Sequence, residues 1–199
     1  MLKTALQEIR NIEQSVNYVF TLEQLLNAGA SAASVQRAVQ RGELTRITRG
    51  AYQLPDSMDD EMYNAQLRRK QMIYSHDTSL FLHGLSDRDP LRFSVTVPTG
   101  YNTKRLTNEG FKVFSLKKEL HEQDIEEAKT SYGHFVYTYN LERTICDCLR
   151  SRSRLQSEIV FSALKQYIRM NERNLNLLMM TAEKFGLSRL LRTYLEVLL

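Results

Sequence analysis

The chain has no tryptophan, three prolines and two cysteines in 199 residues, and its eight glycines form no cluster. Each scarcity excludes something. The two cysteines, Cys146 and Cys148, stand one residue apart in a segment that reads as helix, where their side chains diverge and a bridge is geometrically poor. Free thiols of a reducing cytosol are the expectation. There is no Gly-rich phosphate loop, no Gly-x-Ser-x-Gly turn and no paired-glycine dinucleotide fingerprint. No uninterrupted apolar run approaches membrane-spanning length, and residues 1–19 are broken by Lys3, Glu8, Arg10 and Glu13, unlike a signal peptide. A soluble, cytoplasmic protein with no membrane partner is expected. Low-complexity tracts and internal repeats are also missing.

Histidine is scarce as well, with four residues, and no Cys/His arrangement has zinc spacing. His76 and His83 stand seven apart on one expected helix, about two turns, too far for a compact ligand pair. His76 reads as a cap-region residue, and His83 as a ring beside the C-terminal Gly84, favoured by the helix dipole. Ser79, His83 and Asp87 resemble a triad only in composition, because all three are local and no oxyanion donor can be named. Arg143 and Asp147, at i and i+4, read as a helix-surface ion pair worth a few tenths of a kcal/mol. The expectation is no catalysis, no metal and no cofactor.

What is present is an ordinary globular balance, 42% hydrophobic and 25% charged. The 27 Lys and Arg against 23 Asp and Glu leave +4, too little to imply nucleic acid by total charge alone. Position carries more. Leu2, Leu6, Ile9, Ile12 and Val16 recur at helical spacing and suggest an opening amphipathic helix. Thr21 with Gln24 three residues on makes a capping box for a short helix to Asn27. Gly29 turns the chain, Ser31 opens a second helix to Arg41, Gly42 stops it, and Leu44–Leu54 with Gly50 reads as a hairpin. Tyr63–Tyr74 reads as a mixed-charge helix including Arg68, Arg69 and Lys70, and the domain junction is placed near Gln71.

Beyond it, a helix runs from Ser75 to His83. Strand-like runs follow at Arg92–Val97, Phe111–Leu116 and His134–Thr138, and helices fill Leu141–Arg150, Leu155–Met170, Leu175–Phe185 and Ser188 onward. The strands cluster without alternating crossover helices, so this part reads as α+β. The whole is expected to be mainly α with a small β component. It comprises an N-terminal winged helix-turn-helix (residues 1–71) and an α+β C-terminal domain (residues 72–199). Arg150, Arg152 and Arg154, with Lys117–Lys118 and Lys104–Arg105, read as loop-solvating or helix-end charges, phosphate contact or a partner-facing surface being the alternatives. The stripe Leu190, Leu191, Tyr194, Leu195 and Leu198 reads as core.

Helix-turn-helix followed by a hairpin points to double-stranded DNA. In the second helix Val35, Ala38 and Val39 face inward and leave Ser34, Gln36, Arg37, Gln40 and Arg41 outward, with no acidic residue from Ser31 to Arg41. Arg can fork to guanine O6 and N7 and Gln can pair with adenine N6 and N7. Thr45, Arg46, Thr48 and Arg49 supply phosphate or minor-groove contacts from the hairpin. The alternative is a winged-helix protein-interaction module without sequence-specific DNA binding, its polar face merely meeting water.

The stretch from Phe20–Thr21 through the helix pair and Gly42-Glu43-Leu44-Thr45-Arg46-Ile47-Thr48-Arg49-Gly50-Ala51-Tyr52 resembles the N-terminal winged-helix domain of AbiE-type (AbiEi) antitoxins. These belong to bacterial abortive-infection, type IV toxin–antitoxin systems of phage defence. Ser75–Ser86 resembles the family's linking helix and Glu142-Arg143-Thr144-Ile145-Cys146-Asp147 the motif opening its helical tail. The resemblance implies a transcriptional autorepressor that binds operator repeats of its own operon. It also implies an antitoxin that counters a cognate nucleotidyltransferase-like toxin, a task it assigns to the C-terminal domain without requiring a stable complex.

Overall fold

The computed structural model describes residues 4, 6, 19–86, 89–155 and 157–198. Leu2, Ile9, Ile12 and Val16 of the expected opening helix lie outside these; Thr4 and Leu6 are helical. The fold is mixed α/β, about half helical and 18% strand. It divides into two compact units, residues 1–69 with 131–134, and residues 70–130 with 135–199.

The first unit begins with strand β1 (Val19–Thr21), whose last residue caps helix α1 (Leu22–Asn27). Thr21 Oγ1 accepts from Gln24 N at 3.1 Å while Gln24 Oε1 accepts from Thr21 N at 2.8 Å, so two donors at the helix start are satisfied reciprocally. Helix α2 (Ala32–Gln40) follows, then strands β2 (Thr45–Thr48) and β3 (Ala51–Gln53) and helix α3 (Glu61–Arg68). The hairpin does not stand alone. β3 pairs antiparallel with both β2 and β1, Phe20 and Arg46 lying opposite Tyr52, in a sheet ordered β1-β3-β2. A lone two-stranded hairpin is marginal in water, and the third strand with the packed helices supplies what it lacks. Phe20, Leu25, Ala30, Val35, Ala38, Leu44 and Tyr52 close one core, and Val19, Ile47 and Ala51 meet Tyr63 and Leu67 of α3 in another.

Helix α3 ends at Arg68, so the expected helix through Tyr74 is corrected: Ile73–Tyr74 is strand β4 of the second unit. The rest of that unit runs α4 (His76–Leu82), β5 (Ser94–Pro98), α5 (Lys104–Asn108), β6 (Lys112–Leu116), α6 (Lys118–His121), β7 (Ile125–Lys129), β8 (Phe135–Tyr139), α7 (Leu141–Arg150), a 3₁₀ turn (Arg152–Arg154), α8 (Ser157–Arg169), α9 (Leu175–Lys184) and α10 (Ser188–Leu198). Five strands form one mixed sheet in the order β6-β5-β4-β8-β7. β5 and β6 pair parallel across α5, and β4 pairs parallel with β8, so crossover helices are present where clustered strands without them were expected. Helices α4 and α7 to α10 share an apolar core of Leu80, Ile145, Leu149, Leu164, Leu178 and Leu191, against which Leu190, Tyr194, Leu195 and Leu198 pack.

Arg143 corrects the surface ion pair expected from its spacing, for neither its side chain nor that of Asp147 is exposed to water. Its Nε donates to Asp147 Oδ2 at 3.0 Å and its Nη1 to Leu120 O at 3.0 Å, with Asp124 Oδ2 at 3.6 Å. The guanidinium lies between the rings of Tyr139 (4.3 Å) and Phe185 (4.6 Å). Arg150 Nη2 reaches the other Asp147 oxygen at 3.0 Å as an ion pair without hydrogen-bond geometry. Burial pushes the Asp147 carboxyl above its ordinary range, against the pull of Arg143 and Arg150. Removing one partner of such a pair leaves a charge stranded in the interior, at a cost of about 3 to 5 kcal/mol. Arg143→Met or Asp147→Ala should therefore lower the urea midpoint by that equivalent. A loss of only a few tenths of a kcal/mol would mean that the pair behaves as a solvated one.

Candidate nucleic-acid interface

Two glycines set the angle and length of α2. Gly29 (φ +86°) ends α1, donating from its N–H to Leu26 O at 3.0 Å while Ala30 N–H reaches Leu25 O at 2.9 Å. Gly42 (φ +73°) repeats the arrangement after α2, with bonds to Val39 O at 3.1 Å and from Glu43 to Ala38 O at 2.9 Å. Both are left-handed helix stops that satisfy otherwise orphaned carbonyls, and a side chain at either position would be strained. Between them Val35 and Ala38 are buried, so helical geometry carries Gln36, Arg37, Gln40 and Arg41 to the exposed side.

These residues are not equivalent. Arg37 folds its Nε back to Ala33 O at 3.3 Å, leaving its two Nη groups outward. Arg41 is engaged by Glu43, Nε to Oε1 at 3.3 Å and Nη2 to Oε2 at 3.3 Å, a carboxylate just past the acid-free stretch. Ser34 is half-buried, and its hydroxyl accepts from Ser31 N at 3.0 Å and donates to Ser31 O at 2.7 Å. The N-cap of α2 thus consumes the group that was expected to reach DNA. Gln36, Arg37 and Gln40 keep their side chains open.

In the hairpin Thr45, Arg46 and Arg49 are exposed and Thr48 half-buried. The register of β2 against β3 shifts between Arg46 and Thr48, a bulge that twists the strand. Gly50 O accepts from Leu22 N at 2.8 Å and ties the turn to the start of α1. Arg46 Nε donates to Thr48 O at 3.3 Å, and Arg68 Nε, from α3, to Ile47 O at 3.2 Å. In the sequence Arg68 is only one member of a mixed-charge run, for nothing local links it to a residue 21 positions earlier. Among the described residues Arg37, Arg46, Arg49 and Arg68 have no carboxylate partner.

The residues weighed as enzymatic are occupied elsewhere, in the second unit. Ser79 is fully buried, its Oγ 2.7 Å from Thr144 Oγ1, 2.7 Å from Thr138 Oγ1 and 3.2 Å from Tyr139 O. His83 Nε2 meets the same Tyr139 carbonyl at 2.7 Å and Glu126 Oε1 at 3.4 Å; Asp87 lies outside the described residues. Cys146 and Cys148 are free and buried, and desolvation pushes the Cys146 thiol up to about 12 and Cys148 well above its ordinary value. Neither supplies a thiolate near neutral pH. Among the described residues no three His, Cys, Asp or Glu side chains group as metal ligands, and no helix is long and apolar enough to cross a membrane. Arg154 covers the Phe114 ring at 4.2 Å and donates to Val113 O at 3.1 Å, while Arg152 donates to Leu149 O at 3.1 Å.

Residues 7–55 match a protein family described as "Transcriptional regulator, AbiEi antitoxin". The AbiE-type likeness is thereby shown over the helix pair and hairpin, and the family is a regulatory one. Ser75–Ser86 and Glu142–Asp147 lie beyond the matched stretch. No curated protein matches the chain. Among solved structures, the RV2827C protein from Mycobacterium tuberculosis superimposes with a TM-score of 0.54 at 13% identity, over 89% of this chain and 71% of that one. That likeness concerns the fold.

His76 is the first residue of α4, next to its N-cap Ser75. It is fully buried at φ +54°, with Nδ1 2.9 Å from Ser75 Oγ, Nε2 3.0 Å from Ser151 Oγ, and its ring stacked 3.5 Å from that of Phe114. Desolvation first, then Arg150, Lys112, Arg154 and Arg143, lower its pKa well below the ordinary 6.5. The unfolded chain therefore takes up a proton at this position below pH 6.5 that the folded chain refuses. Stability from this group is present above 6.5 and is lost as the pH falls toward the folded value, with a slope of at most about 1.4 kcal/mol per pH unit. In urea melts at pH values of about 7.5 and 5.5, one on each side of the unfolded pKa, His76→Gln should lose less stability on acidification than the native chain. Equal losses would show that His76 does not remain neutral in the fold.

Proposed function

We propose that the first unit is a winged helix-turn-helix that binds double-stranded DNA, α2 entering the major groove and the β2–β3 hairpin serving as the wing. The observation that carries this reading is the set of exposed Gln36, Arg37, Gln40, Arg46 and Arg49 side chains, its arginines without carboxylate partners among the described residues, held by doubly stopped helices. Exposed arginines without acids raise the local positive potential, which favours a polyanion despite a net charge of only +4. The family match over residues 7–55 supports a transcriptional regulator, which in this reading acts as an autorepressor on operator repeats of its own promoter. In the same reading residues 72–199 carry the antitoxin activity against a nucleotidyltransferase-like toxin, and the protein works in the cytoplasm without catalysis.

The roles within the interface differ by chemistry. Gln36, Arg37 and Gln40 read bases, while Arg46 and Arg49, with Thr45 and Thr48, grip phosphate. Arg41 is the weaker member because phosphate must compete with Glu43 for it, and Ser34 acts through the cap.

Titration of a duplex spanning the DNA upstream of the gene tests the assignment. Arg37→Ala and Gln40→Ala should each cost about 1 to 3 kcal/mol on that duplex and relax base preference. Arg46→Ala and Arg49→Ala should weaken specific and unrelated duplexes alike. Each should flatten the dependence of log K on log salt by about one unit for every phosphate it no longer neutralises. If the native protein distinguished no sequence and formed no salt-sensitive complex, the protein-interaction alternative would take its place. A second expectation concerns separable surfaces. Full-length Arg37→Ala, deficient in operator binding, should still protect cells that co-express the toxin. Loss of protection together with binding, in a folded variant, would sink the division of labour.

A further inference from the structure

From the placement of Arg68, and resting on the DNA-binding reading above, we infer that this residue is a third phosphate-contacting arginine of the wing, supplied by a helix that follows the winged module. Arg68 and Arg46 donate their Nε atoms to the carbonyls of neighbouring residues, Ile47 at 3.2 Å and Thr48 at 3.3 Å. Two guanidinium groups are thereby fixed against one stretch of β2, at the bulge, and both are exposed. Among the described residues neither has a carboxylate to offset the other's charge.

That combination is unfavourable for folding alone. Two like charges are placed against adjacent residues of one strand with no acid beside them among the described residues, and each long side chain loses rotamer freedom to form one bond to a carbonyl. Among the described residues of the first unit, no acid pairs with either to compensate. A phosphodiester does: with Nε committed to the backbone, each guanidinium keeps two Nη groups free, and an Arg fork matches two phosphate oxygens. Fixing the group beforehand also removes part of the ordering cost from the binding step. The helix position matters too. Arg68 is the last residue of α3, whose packing of Tyr63 and Leu67 on Ile47 holds the side chain at the wing.

A structural role alone, with Arg68 merely holding Ile47, makes a different prediction from a phosphate contact. Arg68→Gln removes the charge and retains an amide donor for Ile47 O; Arg68→Lys keeps the charge without the Nε geometry. Full-length protein and both variants are titrated by fluorescence anisotropy over a series of salt concentrations. The probes are the upstream duplex and an unrelated duplex of equal length, and thermal melts verify folding. Arg68→Gln should flatten the log K against log salt slope by about one unit and weaken both duplexes, while Arg68→Lys keeps the native slope. An Arg68→Gln slope equal to the native one overturns the inference, even if affinity falls, since that is the signature of wing positioning. A Lys slope as shallow as that of Gln overturns it as well. Absence of salt-sensitive binding by the native protein would instead remove the DNA-binding reading itself, and so is distinguishable from failure at Arg68.

Discussion

Taking a guanidinium out of water costs several kcal/mol unless hydrogen bonds and an opposite charge replace its hydration. Arg143 is wholly buried, and much of the second unit is arranged to meet that condition. Asp147 comes from the next turn of α7, the carbonyl of Leu120 from the end of α6, Asp124 from the loop before β7, and two aromatic faces from Tyr139 and Phe185. Strand, loop and two helices thus converge on one cation. Tyr139 is used repeatedly: its ring covers Arg143, its hydroxyl bonds His121 O at 2.9 Å, and its carbonyl receives Ser79, Thr144 and His83. The hydroxyls of Ser79 and Thr144 thus find partners at β8, and through them α4 and α7 meet that strand.

The first unit uses the same residue type in the opposite way. Arg37, Arg46 and Arg68 lack acids among the described residues, and their backbone bonds orient the groups without neutralising them. A buried arginine needs its counter-charge inside the fold, whereas an exposed one left without acids keeps its charge available to an outside ligand. Arg41, beside Glu43, shows the intermediate case.

Features governed by neighbours in sequence were legible: the capping box at Thr21, the glycine stops, the hairpin and the helical tail follow from residues a few positions apart. Features governed by distant partners were not. Ile73–Tyr74 is too short to display alternation and continues a helical-looking run, yet it is the central strand that pairs with both β5 and β8. Ile125–Lys129 carries two exposed glutamates, because it is an edge strand, and so lacks a strand's apolar rhythm. Arg143 and Asp147 have one spacing whether buried or solvated; what surrounds Arg143 comes from Leu120, Asp124, Tyr139 and Phe185, all outside its helix. In the interface the outward faces of α2 and the wing were readable from periodicity. The diversion of Ser34 into the cap, the pairing of Arg41 and the placement of Arg68 depend on side-chain bonds that no pattern announces.

The path of the chain also bears on how the protein is made. The first unit includes residues 131–134, and there His134 Nδ1 lies 2.8 Å from Asp60 Oδ2 while its ring stacks 4.3 Å from that of Tyr63. Asp60 is also the residue that caps α3, accepting from Tyr63 N at 3.0 Å. A ribosome makes residues 1–69 first, but the imidazole that completes their packing is separated from Asp60 by 74 positions. Where domains form as units with the N-terminal one first, the His134 contacts to Asp60 and Tyr63 can be made only after strand β7 has been synthesised.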